Sequence, residues 1–352
     1  MKKPILKTPK VFIWQGDLEG GAEKVTLGVA EMFRNFGIEP VLGVFEKTKL
    51  DFPQIVVSRK FPKKFAAYNT FYASWYLRRK NVLDKFDIIF AHAGGTWKTE
   101  SNFYVYHEAA DLDELFKHLP WKGKLVYLLA YQISIRSLRE ADLVISASRR
   151  CDVFLRRHGI TNFIKTNTFV DTALFRPRDR EKKRDKFTVL FVGRSDPIKN
   201  FESLRKACEQ IEGLELLVAG ISGRNTRKVR YLGWVKWENL PKLYNHADLF
   251  VLPSHYEGFS MSILEALACG TPVLASEHAC PVEIQDFVVK CGTSPSAIED
   301  KIRFIIENYE KIREMAIRGQ EFVRRNFAKD EVLRREVQKI LSCYYREKGG
   351  KA

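Results

Sequence analysis

The sequence predicts an α/β protein made of two Rossmann-like lobes. Three observations lead there. Apolar runs of strand length alternate with stretches that have room for a helix, the alternation breaks off once at a charged stretch and then restarts, and 352 residues suit two cores better than one.

The elements follow in order. "KVFIW" (10–14) reads as the first strand, a helix runs from about Gly21 to Phe36, and "PVLGVFE" (40–46) is the next strand. "FDIIFAHAG" (86–94), "FYVYHE" (103–108) and "ADLVISAS" (141–148) continue the scheme. The stretch "RPRDREKKRDK" (176–186) then interrupts it and is the expected interdomain linker. Strands resume at "FTVLFVG" (187–193), "LELLVAG" (214–220), "VRYLGWV" (229–235), "ADLFVLPS" (247–254) and "TPVLAS" (271–276). The expected lobes are therefore 1–175 and 187–327. A last helix over 328–346 carries Val332, Leu333, Val337, Ile340 and Leu341 on or near one side.

Composition narrows the class of partner. Fifty-nine Lys and Arg against 43 Asp and Glu give a formal charge of +16, a positive field toward nucleotides, phosphates, nucleic acid or anionic lipid. Six cysteines without a C-x-x-C pair indicate neither a zinc ribbon nor a disulfide framework, and reduced thiols in a cytosol are the simpler reading. The start, "MKKPILKTPK", lacks the apolar run of a secretory signal. The apolar run "LVYLLAYQISI" (125–135) is shorter than the ~20 residues of a membrane span.

Phosphate chemistry is suggested in the second lobe. "VGRSDPIKN" (192–200) closes a strand at Gly193 and brings Arg194 and Lys199 just before a helix that starts near Asn200. Ligands of doubly wound sheets bind at such strand ends, and two cations beside a helix amino terminus suit a diphosphate. A solvated loop with Asn200 as the helix cap fits the same residues. Further on, "SHYEGFSMSILEALACG" (254–270) sets Glu257 in a loop and Glu265 about one turn into a helix, eight positions apart. Two carboxylates so placed can face different parts of one ligand, and a carboxylate accepting two hydroxyls is a usual ribose contact. Ser262-x-x-Glu265 also fits a capping box.

Taken together, "GGAEK" (20–24), "VGRSDPIKN" (192–200), "LGWV" (232–235) and "ADLFVLPSHYEGFSMSILEALACGTPVLAS" (247–276) resemble glycosyltransferase family 4. The resemblance covers nearly the whole chain and is densest over 187–276. It implies a GT-B fold, two Rossmann-like lobes facing across a cleft, with the last helix packing back on the first lobe. It also implies a retaining, metal-independent transferase that uses a nucleoside-diphosphate sugar and no cofactor. On that resemblance Glu257 approaches the donor sugar and Glu265 binds the ribose. Arg194 and Lys199 hold the diphosphate with the amides of Gly258, Phe259 and Ser260. Gly233, Trp234 and Val235 flank the base, Gly20 and Gly21 bring the first lobe's backbone to the donor phosphate, and His107 is the acceptor-side histidine. His92 is a weaker candidate of the same kind, and Glu283 is open as a sugar contact. The triplet Asp111-Leu112-Asp113 has the form of a metal motif from the other major glycosyltransferase fold, but its place at a helix start fits the helix dipole.

The implied partners are a nucleotide-sugar donor and a glycan or lipid-linked acceptor, in the cytoplasm or at the inner face of a membrane; no nucleic acid is expected. A nucleotide-sugar epimerase of the same fold would share the donor site. A noncatalytic polyanion binder would explain +16 but not Glu257 and Glu265 beside Arg194. One segment bears on the membrane. Residues 59–85 interleave eight Lys or Arg with Phe65, Tyr68, Phe71, Tyr72, Trp75 and Tyr76 against one acid, Asp84. This reads either as a headgroup-contacting surface or as a helix whose aromatics pack on the first-lobe sheet.

Overall fold

The computed structural model describes residues 7–16, 21–62, 65–92, 94–119, 121–178 and 186–349. The first sheet contains β1 (Val11–Gly16), β2 (Val41–Val44), β3 (Gln54–Val56), β4 (Ile88–Ala91), β5 (Phe103–Glu108), β6 (Leu143–Ser146) and β7 (Phe163–Lys165), in the order β3-β2-β1-β4-β5-β6-β7. The second contains β8 (Phe187–Val192), β9 (Leu214–Ala219), β10 (Val229–Gly233), β11 (Leu249–Leu252), β12 (Val273–Ser276) and β13 (Val289–Cys291), ordered β10-β9-β8-β11-β12-β13. Every strand pairing is parallel. Strands such as "IIFA", "LVIS" and "LFVL" are buried at every position, as they must be when helices cover both faces.

The helices that position the site are α1 (Gly21–Asn35), α2 (Ala66–Arg79), α3 (Leu112–His118), α4 (Trp121–Glu140), α5 (Arg149–Arg157), α6 (Phe201–Glu209), α7 (Leu240–His246) and α8 (Met261–Ala268). After them come α9 (Pro295–Glu307), α10 (Tyr309–Asn326) and α11 (Lys329–Gly349). In α1 the buried set Val25, Val29, Met32 and Phe33 recurs at helical spacing, and Gly37 at φ +75° ends the segment. Gly28 lets α11 come close, since a Cβ there would stand 2.8 Å from Leu333 and 3.0 Å from Phe169. Accordingly Val332, Leu333, Val337, Ile340 and Tyr344 of α11 share a core with Val25, Val29 and Phe33.

The chain changes cores twice, side by side. Phe169 packs in the first lobe, whereas Val170 and Phe175 pack in the second. On the return, Phe327 belongs to the second core and Val332 to the first. The two crossings are bonded together, Val170 N–H to Phe327 O at 2.8 Å and Lys329 N–H to Val170 O at 3.0 Å. The first change of core precedes the charged stretch, of which residues 179–185 lie outside the described residues.

Several local expectations need correction. Strands β3, β7 and β13, three residues each, escape the sequence reading because so short a run carries no periodicity of its own. In α2 the buried face is Asn69, Thr70, Ala73, Ser74 and Leu77, so Phe71, Trp75 and Tyr76 are exposed and do not pack on the sheet. Among the described residues no helix is long and apolar enough to cross a membrane.

Candidate active site in the interlobe cleft

The loop carrying Arg194 and Lys199 is built at the end of β8. Gly220, at φ +95°, passes so close that a Cβ there would lie 2.3 Å from the Gly193 carbonyl, which only glycine allows. A single helical turn, Pro197–Lys199, follows, capped by Asp196 whose Oδ1 accepts from Ile198 N–H at 3.0 Å. Asn200 does not cap α6 with its side chain, as the simple loop reading had it. It sits in the left-handed region at φ +53°, and its Nδ2 donates to Pro253 O at 3.2 Å and Thr293 O at 2.8 Å. The turn is thereby tied to the ends of β11 and β13. Lys199 emerges from it and meets Glu257, Nζ to Oε1 2.6 Å, while Ser254 Oγ donates to the same oxygen at 2.7 Å. Both partners are largely shielded from water, which strengthens their attraction. Arg194 is exposed at the start of the same loop.

Glu265 sits in a different setting. The helix cap of α8 is Ser260, whose Oγ accepts from Ile263 N–H at 3.4 Å, and Ser262 turns back to Ser260 at 3.0 Å. The Ser262–Glu265 capping box is therefore not formed. Glu265 instead points into the protein, 3% exposed, where Oε1 accepts from Lys24 Nζ at 2.8 Å and Trp237 Nε1 at 3.0 Å and Oε2 accepts from Tyr244 OH at 3.0 Å. Burial, and then the Glu265 charge, push the Tyr244 hydroxyl well above its ordinary range, so it stays a donor. Lys24 comes from α1 in the first lobe and also lies over the Trp237 ring, 4.7 Å from its centroid. Lys24, Gly28, Phe169, Trp237, Met261 and Glu265 are among the residues lining a cleft cavity of about 620 Å³. Sequence reasoning missed Lys24, Trp237 and Tyr244 as partners of this acid; the only available signal was Lys24 inside "GGAEK".

Of the remaining residues expected at the donor, Trp234 lines that cavity and Gly21, Val235, Gly258 and Phe259 do not. Trp234, 79% exposed, is at its rim, after Gly233 at φ +63° has accepted from Gly220 N–H at 2.7 Å. Val235 packs partly against the second core, as does Phe259. Gly21 faces α8, where a Cβ would lie 3.2 Å from Met261. Gly258 faces the first lobe, where a Cβ would lie 3.0 Å from that of Ala110. Gly20 lies outside the described residues.

On the first-lobe side two histidine rings meet at the ends of β4 and β5. His107 and His92 approach through their Nδ1 atoms at 2.9 Å. Burial pulls His92 down to about 4 and holds His107 well below the usual histidine range, with His92 adding to the effect. At neutral pH both rings are neutral, one Nδ1–H donating to the other ring. Next to them burial pushes Glu108 up to about 7, and its Oε1 accepts from Ala109 N–H at 2.9 Å and Ala110 N–H at 3.0 Å. Asp111 is the cap of α3, accepting from Asp113 and Glu114 N–H. Asp113 bonds Tyr131 at 2.6 Å, Arg157 at 2.7 Å and His158 at 3.1 Å. These contacts engage both acids of the triplet, and no group of three or more candidate metal ligands occurs among the described residues. Glu283 accepts from Arg149 N–H at 2.6 Å.

Residues 175–322 match the family model described as glycosyl transferases group 1. An O-antigen chain mannosyltransferase B from Escherichia coli is 39% identical over 106 residues, which is 25% of this chain and 28% of that one. The chain spans between 28 and 40% of the length of the curated relatives it matches. These matches support the glycosyltransferase superfamily. A sucrose-phosphate synthase from Thermosynechococcus elongatus superimposes with a TM-score of 0.82 at 18% identity, covering 98% of this chain and 100% of that one. HepE of Anabaena, in complex with UDP-glucose, superimposes with a TM-score of 0.71 at 16% identity, covering 95% of this chain and 99% of that one. The chain has the GT-B fold, two parallel-sheet Rossmann-like domains, and its second lobe carries the match to the glycosyl transferases group 1 model.

Proposed function

We propose that the protein is a retaining, metal-independent glycosyltransferase that moves a sugar from a nucleoside-diphosphate sugar to a hydroxyl of a glycan or lipid-linked acceptor. The observation that carries this reading is the pair of acids on one loop and helix. Glu257 is held by Lys199 at the cleft, and Glu265 is buried at the wall of a cavity with Trp237 beside it. In this reading Glu265 takes the ribose, Arg194 and Lys199 take the diphosphate, and Glu257 faces the sugar. The bond from the sugar's anomeric carbon to the diphosphate oxygen breaks. The acceptor oxygen bonds to that carbon on the same face, and the acceptor's proton passes to the leaving phosphate. Cations already in place, together with amides around Gly258 to Ser260, stabilise the charge as it develops. His107, neutral and paired with His92, is suited to orient a hydroxyl rather than to bind an anion.

The relative crystallised with UDP-glucose supports a nucleotide-sugar donor. The exposed aromatics of α2, with Arg78 and Arg79 beside them, support contact with an anionic membrane surface. Leu128 and Leu129 are also exposed, on α4, which packs against α2. A cytoplasmic enzyme working at the inner membrane face fits that surface.

The test is a screen of UDP-, GDP- and ADP-sugars by thermal shift. Release of the nucleoside diphosphate is then followed with and without acceptors, in excess EDTA. One nucleotide should stabilise the protein, and turnover should require an acceptor and survive EDTA. An isomerised donor sugar without transfer would instead make the protein an epimerase, and stabilisation by nucleic acid alone would make it a polyanion binder.

A further inference from the structure

Arg150, the second residue of α5, crosses from the first lobe to the second and is assigned to nothing so far. It is half-buried, and all its bonds among the described residues run to main-chain carbonyls of the other lobe. One terminal nitrogen donates to Glu257 O at 3.1 Å and to His278 O, the other to Glu277 O and Cys280 O, both at 2.9 Å. His278 O also accepts from Glu257 N–H at 3.3 Å. The guanidinium thus holds both main-chain polar groups of Glu257, the carbonyl directly and the N–H through His278. It joins the loop carrying the acid to the turn after β12. The preceding residue is tied to the same lobe, where Tyr256 OH accepts from Asp111 N–H at 2.8 Å and donates to Asp111 O at 2.9 Å. A planar fork of donors reaches several carbonyls at once, which an ammonium on a flexible stem does not.

We propose that Arg150 is a positioning residue for the transfer step. By docking on four carbonyls it fixes the Glu257 main chain, and with it the direction of the carboxylate that Lys199 and Ser254 hold. The proposal rests on the reading that Glu257 faces the donor sugar. It goes beyond that reading in making the acid's alignment depend on a first-lobe side chain. Misplacement of a reacting group by about 1 Å costs on the order of 10²-fold in rate.

The experiment compares wild type, R150A and R150K in full-length protein. It uses calorimetric titration with UDP and GDP, steady-state transfer, and circular dichroism to establish folding. For R150A we expect nucleoside-diphosphate affinity and donor KM within about threefold of wild type, because Arg194 and Lys199 are untouched. The expected kcat is lower by about 10²-fold. R150K should not restore it, whereas added guanidinium should raise turnover of R150A and not of R150K. A mere clasp between lobes would lower the melting temperature without this split or this rescue. Folded R150A turning over at the wild-type rate, or full recovery in R150K, overturns the proposal alone. If wild type binds no nucleoside diphosphate, the donor-site reading falls and takes the proposal with it. Should R150A fail to fold, R150K and R150Q carry the same kcat comparison.

Discussion

In the second lobe Lys199 meets Glu257 at 2.6 Å and Lys24 reaches Glu265 at 2.8 Å, whereas at the end of β5 His107 meets His92 at 2.9 Å with no charge on either ring. One region spends buried space on ion pairs, the other on a neutral hydrogen bond. Charge is costly to bury unless paired, so it persists only where it is held by partners, as at Glu257 and Glu265. A hydroxyl needs direction more than charge, and two neutral imidazoles supply it. On the proposed reaction, negative charge grows at the diphosphate and not at the acceptor oxygen, which matches this division.

The sharpest way to break the comparison is to remove the donor-side charge. Lys199→Ala should lower kcat by about 10²-fold or more, the usual loss when one preorganised donor to a developing anion is deleted. Transfer assays on folded protein check it. A variant with unchanged turnover would show that the Lys199–Glu257 pair is only structural.

How much of this was readable in the chain follows from the same contrast. Glu257, Lys199 and Arg194 lie on turns whose motifs are local, so strand-end position and the family resemblance together pointed to one strand edge. The longer strands were legible because buried parallel strands are continuous apolar runs. The partner of Glu265 was not, since Lys24 stands 241 positions away on another lobe. Nor were Trp237 and Tyr244, which read as ordinary aromatics until the fold aims them at one carboxylate. His92 and His107 were each legible as residues at strand ends, but their contact depends on β4 and β5 being neighbours in the sheet.

The neutral pair should be visible in the pH dependence of stability. His92 titrates near 4 when folded and near its ordinary 6.5 when unfolded, so the unfolded chain binds the extra proton between those values. Its contribution is complete above about 6.5 and is lost as pH falls toward about 4, up to about 3 kcal/mol. Glu108 and Glu336 act oppositely. Burial lifts them to about 7 and about 8, so their contribution is complete below about 4.5 and fades as pH rises through those values. The wild-type profile mixes both slopes, and His92→Gln isolates one. In denaturant unfolding, the stability at pH 7 minus that at pH 4.5, taken with its sign, should be lower in the variant than in wild type by about 2 kcal/mol. An equal difference would mean the ring is not held neutral.

At the junction of the two regions, Lys24→Met tests whether the first lobe contributes to the donor pocket. It leaves Glu265 with Trp237 and Tyr244 but no cation, in a nearly fully buried place. Donor KM should rise about tenfold, the worth of one hydrogen bond to a charged group, with kcat less affected because the contact is made before and during transfer. A kcat defect with unchanged KM would move Lys24 from ribose-side binding to the reacting centre.

The smallest effect concerns the surface of α2 in the first lobe, where Phe71, Trp75 and Tyr76 are turned outward. Trp75 is 44% exposed on α2, with the Arg79 guanidinium 5.5 Å from its ring centroid. In the helical array one turn separates the two, so ring and cation present an apolar body and a charge to the same side. Against an anionic bilayer a single basic residue near the surface contributes ~1 kcal/mol, so Arg79→Gln should weaken binding about fivefold at low salt. The same substitution should change nothing with neutral vesicles, and salt should abolish the difference because exposed charges are screened within ~10 Å at 0.1 M. Cosedimentation with anionic and neutral liposomes at two salt concentrations measures it. Equal binding of Arg79→Gln and wild type to anionic vesicles at low salt would take α2 out of the membrane contact. It would leave a soluble acceptor as the one to assay with the donor.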